Sequence, residues 1–194
     1  MIMLNRAIFL DRDGTLNEEV GYVNHLERFK LYPWTAEAIR LVNQAGYKAI
    51  VLTNQSGVAR QYMTEALVEQ VHQRLRSELE QQGAYLDAIY YCPHHPAAPD
   101  PVYRVACRCH KPKPGLVEQA QRAFELDLSR SFFVGDKYLD VELAHAVGAQ
   151  GVLVLTGYGL GEYEHLRHTW PAPPDHVTEN VLTAVRWILG RADG

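Results

Sequence analysis

This sequence of 194 residues lacks long hydrophobic runs, an excess of basic residues and a paired set of cysteines. No apolar stretch approaches the ~20 residues that a membrane-spanning helix needs. The formal net charge of −4 gives no basic field for nucleic acid or for an anionic membrane surface. The first residues have no basic segment followed by a small-residue cleavage site, so a secretory signal peptide is not expected.

The three cysteines also argue against a disulfide framework, because an odd number cannot pair completely. A reducing compartment is the simplest location, and we expect a cytoplasmic protein. The sequence shows neither internal repeats nor low-complexity segments. Its length suits one domain over residues 1–194 with a substantial buried core.

Short apolar runs alternate with segments of helical period. The runs cover residues 7–10, 49–52, 88–91, 132–134 and 152–155. Each run is continuous rather than alternating, as expected for strands covered on both faces. The amphipathic segments begin near residues 35, 64, 114, 139 and 179. This order predicts an α/β fold with a doubly wound parallel sheet. Residues 92–113 and 157–177 interrupt the alternation, and both are too short to be separate domains.

Two acidic residues, Asp11 and Asp13, follow the first predicted strand directly and precede Gly14. Ligands of open parallel sheets bind beyond the carboxyl ends of the strands. A carboxylate there can attack phosphorus while a second one transfers the proton. Two carboxylates facing a phosphate need a hard divalent cation, and oxygen ligands favour Mg²⁺. The alternative is an ordinary turn stabilised by Asx caps, and this motif alone does not decide between the two.

Polar residues at three further positions favour phosphate chemistry. Thr53 ends the second predicted strand and has a hydroxyl that can donate to a phosphate oxygen. Lys111, in "KPKPG", places a positive charge near a helix N-terminus. Asp136, in "FFVGDKYLD", follows the fourth strand and offers another carboxylate for Mg²⁺. Each feature alone is typical of a cap or a turn, but their combination in this order indicates a phosphate site.

The segments "DRDGT", "LTNQSG", "HKPKPG" and "VGDKYLD" resemble the four motifs of the haloacid dehalogenase (HAD)-type phosphatase superfamily. The resemblance implies a Rossmann-like HAD fold with Asp11 as nucleophile and Asp13 as general acid/base. It implies Thr53 and Lys111 as phosphate-binding residues. It also implies a Mg²⁺ site formed by Asp11, the main-chain carbonyl of Asp13, and Asp136. The intervals between the motifs are too short for a large cap domain, so we expect an open site closed by loops.

The first interruption of the alternation, residues 92–113, contains Cys92-x-His94 and, after twelve residues, Cys107-x-Cys109. Four nitrogen and sulfur ligands in two close pairs predict a tetrahedral structural zinc site in a loop over about residues 92–109. His95 competes with His94 as a ligand, and the resemblance favours His94. The other interpretations are free thiols with surface histidines, or a zinc knuckle for nucleic acid, which the acidic charge balance disfavours.

Within the superfamily, the zinc loop and the capless layout are similar to phosphatases of heptose bisphosphates, which remove the 7-phosphate in heptose precursor synthesis for lipopolysaccharide or surface glycans. The histidinol-phosphatase domain is the alternative, as is a non-catalytic, zinc-stabilised metabolite-binding protein. The resemblance implies substrate contacts from Arg12, Glu19, Val20, Gly21, Tyr22, Asn54, Gln55, Ser56, His110 and Lys137. The expected partner is a small sugar phosphate, with no nucleic acid and no membrane, and the expected state is a monomer.

One residue departs from the resemblance. The heptose phosphatases usually have Arg-Lys where this sequence has His110-Lys111. Arginine offers a two-pronged donor to a phosphate or to sugar hydroxyls, and histidine cannot reproduce it. His110 is therefore either a substrate contact with a single hydrogen bond or a histidine of the loop surface.

Overall fold

The computed structural model describes residues 4–192, and its centre is a six-stranded parallel sheet. The strands are β1 (Ala7–Leu10), β2 (Lys48–Asn54), β3 (Ala88–Cys92), β4 (Phe132–Gly135), β5 (Gln150–Val154) and β6 (His176–Thr178). Their spatial order is β3-β2-β1-β4-β5-β6. The winding reverses at β1, and ligands of such sheets bind at this switch point, beyond the carboxyl ends of the strands.

Helices cover both faces of the sheet. They are α1 (Thr35–Gln44), α2 (Glu65–Glu80), α3 (Gly115–Phe124), α4 (Tyr138–Ala146), α5 (Gly159–Leu166) and α6 (Val181–Ala192). Helices α1, α2 and α6 share one hydrophobic core with the sheet, whereas α3 and α4 share a second core on the other face. The predicted doubly wound α/β fold is confirmed.

Strand β1 shows why this part of the sequence is continuously apolar. Ile8 and Leu10 belong to one core, and Ala7 and Phe9 belong to the other. All four side chains are at most 1% exposed. Because both faces of the strand are covered, polar side chains have no place within it, and the first of them follow where the strand ends.

Residues 157–177 are more regular than the sequence indicated, because they contain α5 and most of β6. Helix α5 has 8 residues, two of them glycine, and β6 has 3 residues that are only partly buried. Elements this short show no periodicity that distinguishes them from a loop. Trp170 stacks on Tyr138 with ring centroids 4.4 Å apart, so an aromatic contact fixes this segment to α4.

The expected absence of a large cap domain is confirmed for the described residues. Between β1 and β3 the regular elements are β2, helices α1 and α2 and one 3-10 turn. Residues 93–114 contain neither helix nor strand. In the range 4–192, no helix is long and apolar enough to cross a bilayer.

We predict that Ile39→Ala destabilises the protein strongly, because Ile39 on α1 is 0% exposed and its removal leaves a cavity in the larger core. The free energy of unfolding should fall by about 2–5 kcal/mol, measured by urea denaturation. Leu160→Ala on α5 is the control: its side chain is 48% exposed, and the change should stay within about 0.5 kcal/mol. Equal losses in the two variants would contradict the described packing of α1.

Candidate active site

The carboxyl ends of β1, β2 and β4 meet at one edge of the sheet because these strands are neighbours. They bring Asp11, Thr53 and Asp136 together beside Lys111, which precedes α3. A cavity of about 290 Å³ opens at this edge. Most residues singled out from the sequence line it: Asp11, Asp13, Glu19, Gly21, Tyr22, Thr53, Asn54, Gln55, Ser56, His110, Lys111 and Lys137. Val23, Leu139 and Tyr158 line it as well, and none of them was singled out as a site residue from the sequence.

Three carboxylates converge beside the cavity, from Asp11, which lines it, and from the buried Asp136 and Asp140, with one oxygen of each within 4.8 Å of the others. Asp136 is fully buried, and its Oδ2 accepts a 2.9 Å hydrogen bond from the Tyr158 N–H, but its Oδ1 has no hydrogen-bond partner in the described residues. Burial, and then the nearby charge of Asp11, raise the pKa of Asp136 well above its usual value. An unpartnered buried oxygen beside two further carboxylates fits a hard divalent cation.

Lys111 is buried and supplies the positive charge that balances these groups. Its Nζ lies 3.0 Å from Asp11 Oδ1 and 2.6 Å from Asp140 Oδ1, and it donates to the Leu52 carbonyl at 2.7 Å. Burial alone would lower the pKa of Lys111, but the two carboxylates raise it above its usual value. The ammonium group therefore stays charged while it points to the cavity.

The side-chain amide of Asn54 fixes the main chain of Lys111. It donates to the Lys111 carbonyl at 3.1 Å and accepts from the Lys111 N–H at 2.9 Å. Asn54 was expected to contact the substrate; in this structure both functional groups of its amide are already engaged with the lysine loop.

Asp140 is the member of this carboxylate group that sequence reasoning missed. It lies in the first turn of α4, 3% exposed, one helical turn after Asp136. Burial raises its pKa to about 7, against the opposing effect of Lys111. The signal was present, because Asp140 is the last letter of "VGDKYLD", but an acidic residue in a first helical turn is also typical of a simple helix-dipole contact.

Asp13 is held by a buried guanidinium. Arg12 Nε and Nη2 donate to the Asp13 carboxylate at 3.2 and 2.8 Å, and Asn17 and Gln55 each donate to it at 2.9 Å. Burial would raise the pKa of Asp13, but the charge of Arg12 and these hydrogen bonds more than offset it, so the pKa lies below its usual value. Gln55 also donates to Thr53 Oγ1 at 2.9 Å.

Arg12, which we expected to contact the substrate, is not among the residues that line the cavity. Its side chain is 1% exposed and is fully engaged with Asp13 and its surroundings. Val20, also expected to contact the substrate, packs against the larger hydrophobic core and is not among the residues that line the cavity. Side chains of neighbouring residues in a loop can point to opposite sides of it. The spacing of residues in the sequence alone does not show which of them face the cavity.

The mouth of the cavity carries Lys137, whose Nζ lies 3.9 Å from Glu19 Oε2 and 4.3 Å from the ring centroid of Tyr158. Burial raises the pKa of Glu19. Tyr22 packs edge-on against Tyr62 at 5.0 Å, which fixes the loop after β1 against the segment before α2. The loop residues therefore form one wall of the cavity.

The four residues of the predicted zinc site lie together. Cys109 Sγ is 3.1 Å from Cys92 Sγ and 3.2 Å from His94 Nδ1, and Cys107 Sγ is 3.6 Å from Cys92 Sγ. Tetrahedral ligands bound at ~2.3 Å lie about 3.8 Å apart, so the cluster needs only slight expansion around an ion. All three thiols are free, and their separations exclude disulfides.

The two remaining histidines of this loop differ in position. His95 Nε2 lies 2.9 Å from Arg60 Nη2, and His95 is not part of the cluster, which leaves His94 as the histidine beside the cysteines. His110 lines the cavity and its Nδ1 also lies 3.7 Å from Cys92 Sγ. It is therefore part of the cavity wall rather than an isolated surface residue.

Comparisons with known proteins return phosphatases. A family model described as polynucleotide kinase 3 phosphatase matches residues 7–140, and one described as HAD-hydrolase-like matches residues 108–184. The chain is 42% identical over 190 residues to the D-glycero-D-manno-heptose-1,7-bisphosphate 7-phosphatase of Thermosynechococcus vestitus, covering 94% of each chain. It is 40% identical over 193 residues to the protein of the same name from Chlorobaculum tepidum, covering 96% of each.

A solved structure shows the same likeness. The crystal structure of D,D-heptose 1.7-bisphosphate phosphatase from B. bronchiseptica, complexed with magnesium and phosphate, matches with a TM-score of 0.83 and 30% identity. The match covers 96% of this chain and 99% of that one. The fold is thus shared over nearly the full length of that structure.

We predict that Gly14→Ala destabilises the protein more than Gly21→Ala does. Both glycines have left-handed backbones, with φ of +82° and +80°, so each alanine costs about 1–2 kcal/mol in strain. At Gly14 the new Cβ would lie 2.1 Å from Asp136 Oδ2, whereas at Gly21 it meets nothing within 4 Å. Overpacking should cost Gly14→Ala at least about 1 kcal/mol more, measured by urea denaturation. Equal losses would contradict the close approach of the Asp136 carboxylate to the turn.

Proposed function

Because this chain belongs to the HAD-like hydrolases, in the family of the heptose-1,7-bisphosphate 7-phosphatases, we propose that it hydrolyses the 7-phosphate of D-glycero-D-manno-heptose 1,7-bisphosphate in heptose precursor synthesis for lipopolysaccharide or surface glycans. The observation that carries this proposal is the charge arrangement at the sheet edge, where Asp11 faces the cavity beside the buried ammonium of Lys111. A carboxylate held in this way is oriented for attack on a phosphoryl group.

Asp11 acts as the nucleophile in two balanced steps. In the first, an Asp11 oxygen forms a bond to phosphorus, the bond from phosphorus to the sugar oxygen breaks, and Asp13 gives its proton to the departing oxygen. In the second, Asp13 takes a proton from water, the water oxygen bonds to phosphorus, and the bond to Asp11 breaks. Inorganic phosphate and the free carboxylate result.

Asp13 starts from the ionised form, because its pKa lies below the usual value. A phosphate dianion entering the cavity adds negative charge near this carboxylate and so raises its pKa. The proton needed in the first step is therefore taken up together with the substrate. The same carboxylate, once ionised again, is ready to accept the proton of the attacking water.

The cavity needs more positive charge than the chain supplies, since the carboxylates of Asp11, Asp13 and Glu19 line it against two lysines. Asp11, the main-chain carbonyl of Asp13 and the carboxylate of Asp136 would hold Mg²⁺, which would supply positive charge against the phosphoryl oxygens. Lys111 and Thr53 donate to the same oxygens.

The outer part of the cavity would bind the sugar. Glu19 and Tyr22 line it and offer a carboxylate and a phenol to sugar hydroxyls, and Lys137 offers a charge to a phosphate. Ser56 and the Gly21 backbone complete the wall. His110 contributes one hydrogen bond where an arginine fork would contribute two, so the contact to the distal phosphate is weaker on this side.

We also propose that the cluster of Cys92, His94, Cys107 and Cys109 binds a structural Zn²⁺. The four ligands fill a tetrahedral site, which leaves no position for a catalytic water. Free thiols that bind a metal fit a reducing, cytoplasmic location. We infer further that residues 1–194 act as one catalytic unit on a small molecule and work as a monomer.

A phosphate-release screen with Mg²⁺ tests the reaction. The substrates are both anomers of the heptose bisphosphate, histidinol phosphate and an oligonucleotide with a 3′-phosphate. The oligonucleotide is included because one matching family model is described as polynucleotide kinase 3 phosphatase. We expect a heptose anomer to give the highest kcat/KM, with loss of the 7-phosphate followed by ³¹P NMR. Preferred turnover of histidinol phosphate or of the oligonucleotide would overturn the proposed substrate.

Asp11→Asn should reduce phosphate release on the order of a thousandfold or more, because the amide is a poor nucleophile toward phosphorus. The far-UV spectrum should stay that of the wild type. Asp127→Asn is the matched control, since Asp127 caps a 3-10 turn through a contact that asparagine can replace. Substantial turnover by Asp11→Asn would remove this residue from the nucleophile role.

Cys107→Ser should lose bound zinc and lower the melting temperature, because a three-ligand site holds the ion weakly and the loop loses its cross-link. Metal content is measured by atomic emission and stability by calorimetry. His95→Ala, which removes a histidine outside the cluster, should keep its zinc. Full zinc content in the Cys107 variant, or loss of zinc in the His95 variant, would rule out this ligand set.

A further inference from the structure

The guanidinium of Arg12 is buried and has one nitrogen that does not contact Asp13. Nε and Nη2 donate to the Asp13 carboxylate, and Nη2 also contacts Gln55 Oε1 at 3.0 Å. The remaining nitrogen, Nη1, lies 3.1 Å from His72 Nε2, which is its one hydrogen-bond partner among residues 4–192. A buried charged donor without a hydrogen-bond partner costs free energy. The contact with His72 therefore stabilises the guanidinium in its buried position.

His72 is well placed to serve as a fixed acceptor. It lies on α2, is 4% exposed and sits on the buried side of the helix next to Val71. Its ring packs edge-on against the ring of Tyr91, with centroids 5.5 Å apart, and the Tyr91 hydroxyl donates to Glu65 Oε2 at 2.6 Å. These contacts restrict rotation of the imidazole.

The imidazole is also in the required protonation state. Burial, and then the charge of Arg12, lower the pKa of His72 to about 3. The ring is therefore neutral near pH 7. A neutral imidazole with its proton on Nδ1 presents a lone pair at Nε2. That lone pair faces an arginine that can only donate.

We propose that His72 is a positioning residue for proton transfer: it accepts the hydrogen bond of Arg12 Nη1 and thereby holds the guanidinium in the orientation that fixes the Asp13 carboxylate. This inference rests on the proposed function, in which Asp13 carries the proton. His72 is not among the residues lining the cavity, so it acts on Asp13 through Arg12 and not on the substrate. Its removal should change turnover more than substrate binding.

The alternative is that His72 merely fills the core under the sheet edge. A residue with that role would be replaced best by an apolar ring, and its loss would affect stability without a selective effect on kcat. The two roles are separated by comparing His72→Phe, which keeps a ring but removes the acceptor, with His72→Gln. The glutamine Oε1 reaches about as far as Nε2 and can accept the same hydrogen bond.

The kinetic experiment uses the full chain with Mg²⁺ and the preferred substrate of the screen. We expect His72→Phe to lower kcat on the order of tenfold with little change in KM, the size of one hydrogen bond to a charged group. His72→Gln should recover most of the loss. His176→Phe is the matched control, because His176 stacks on Trp187 on a strand at the far edge of the sheet, and it should keep wild-type kinetics.

A double-variant cycle tests the route through Arg12. In an Arg12→Met background the guanidinium is absent, so adding His72→Phe should lower kcat no further. An equal additional loss in that background would overturn the inference. So would wild-type kcat in His72→Phe, or a glutamine variant as impaired as the phenylalanine one.

Crystal structures of the two variants provide a readout that does not need turnover. The Asp13 carboxylate and Arg12 should keep their wild-type positions in His72→Gln and move apart in His72→Phe. An undisturbed Arg12–Asp13 pair in the phenylalanine variant would overturn the inference even if none of the screened substrates reacts. Absence of turnover in the wild type would count against the proposed function instead.

Discussion

The interaction on which this site depends is the buried ammonium of Lys111 between the carboxylates of Asp11 and Asp140. It joins the end of β1, the first turn of α4 and the loop before α3 at one point, with the Leu52 carbonyl of β2 as a further acceptor. Burying an ion pair costs desolvation free energy, which geometry must repay. Among the described residues, Asp136 Oδ1 and Asp140 Oδ2 are buried without a hydrogen-bond partner, and such oxygens fit the cation proposed for this edge of the sheet.

The two aspartates of the first motif differ because they have different cationic partners. Asp11 shares an ammonium with Asp140 and keeps one side toward the cavity, as the proposed attacking group must. Asp13 is held by a guanidinium that is itself buried and contacts a neutral histidine. A fixed, planar donor suits a group that must return to one position after giving and taking a proton. Arg12, the residue between the two aspartates, therefore contacts Asp13 and His72 and does not line the cavity.

The strands could be predicted because continuous apolar runs are typical of buried parallel strands. Most cavity-lining residues could be predicted because the polar residues that follow neighbouring parallel strands lie at the same edge of the sheet. The grouping of Cys92, His94, Cys107 and Cys109 could be predicted from ligand type and spacing. Asp140, His72 and the burial of Arg12 could not, because a helical acid, a helical histidine and a loop arginine are ordinary in sequence and acquire their roles only through packing. Helix α5 and β6 are too short to show a helical or strand periodicity of hydrophobic residues. Val20 shows that the sequence of a loop does not reveal which of its side chains face the cavity.

The proposed zinc site has a mechanical reason to lie beside the catalytic edge. Residues 93–114 contain no helix or strand, and ordering a segment of this length costs conformational entropy. Cys92 is the register partner of Asn54 in the sheet, and Asn54 binds the main chain of Lys111, two residues after Cys109. A metal joining Cys92 to Cys109 would therefore complete a small ring of contacts that includes Asn54 and Lys111. In a fold without a cap domain, that ring of contacts would fix the lysine that we propose to bind phosphate, on the side that a cap would otherwise cover.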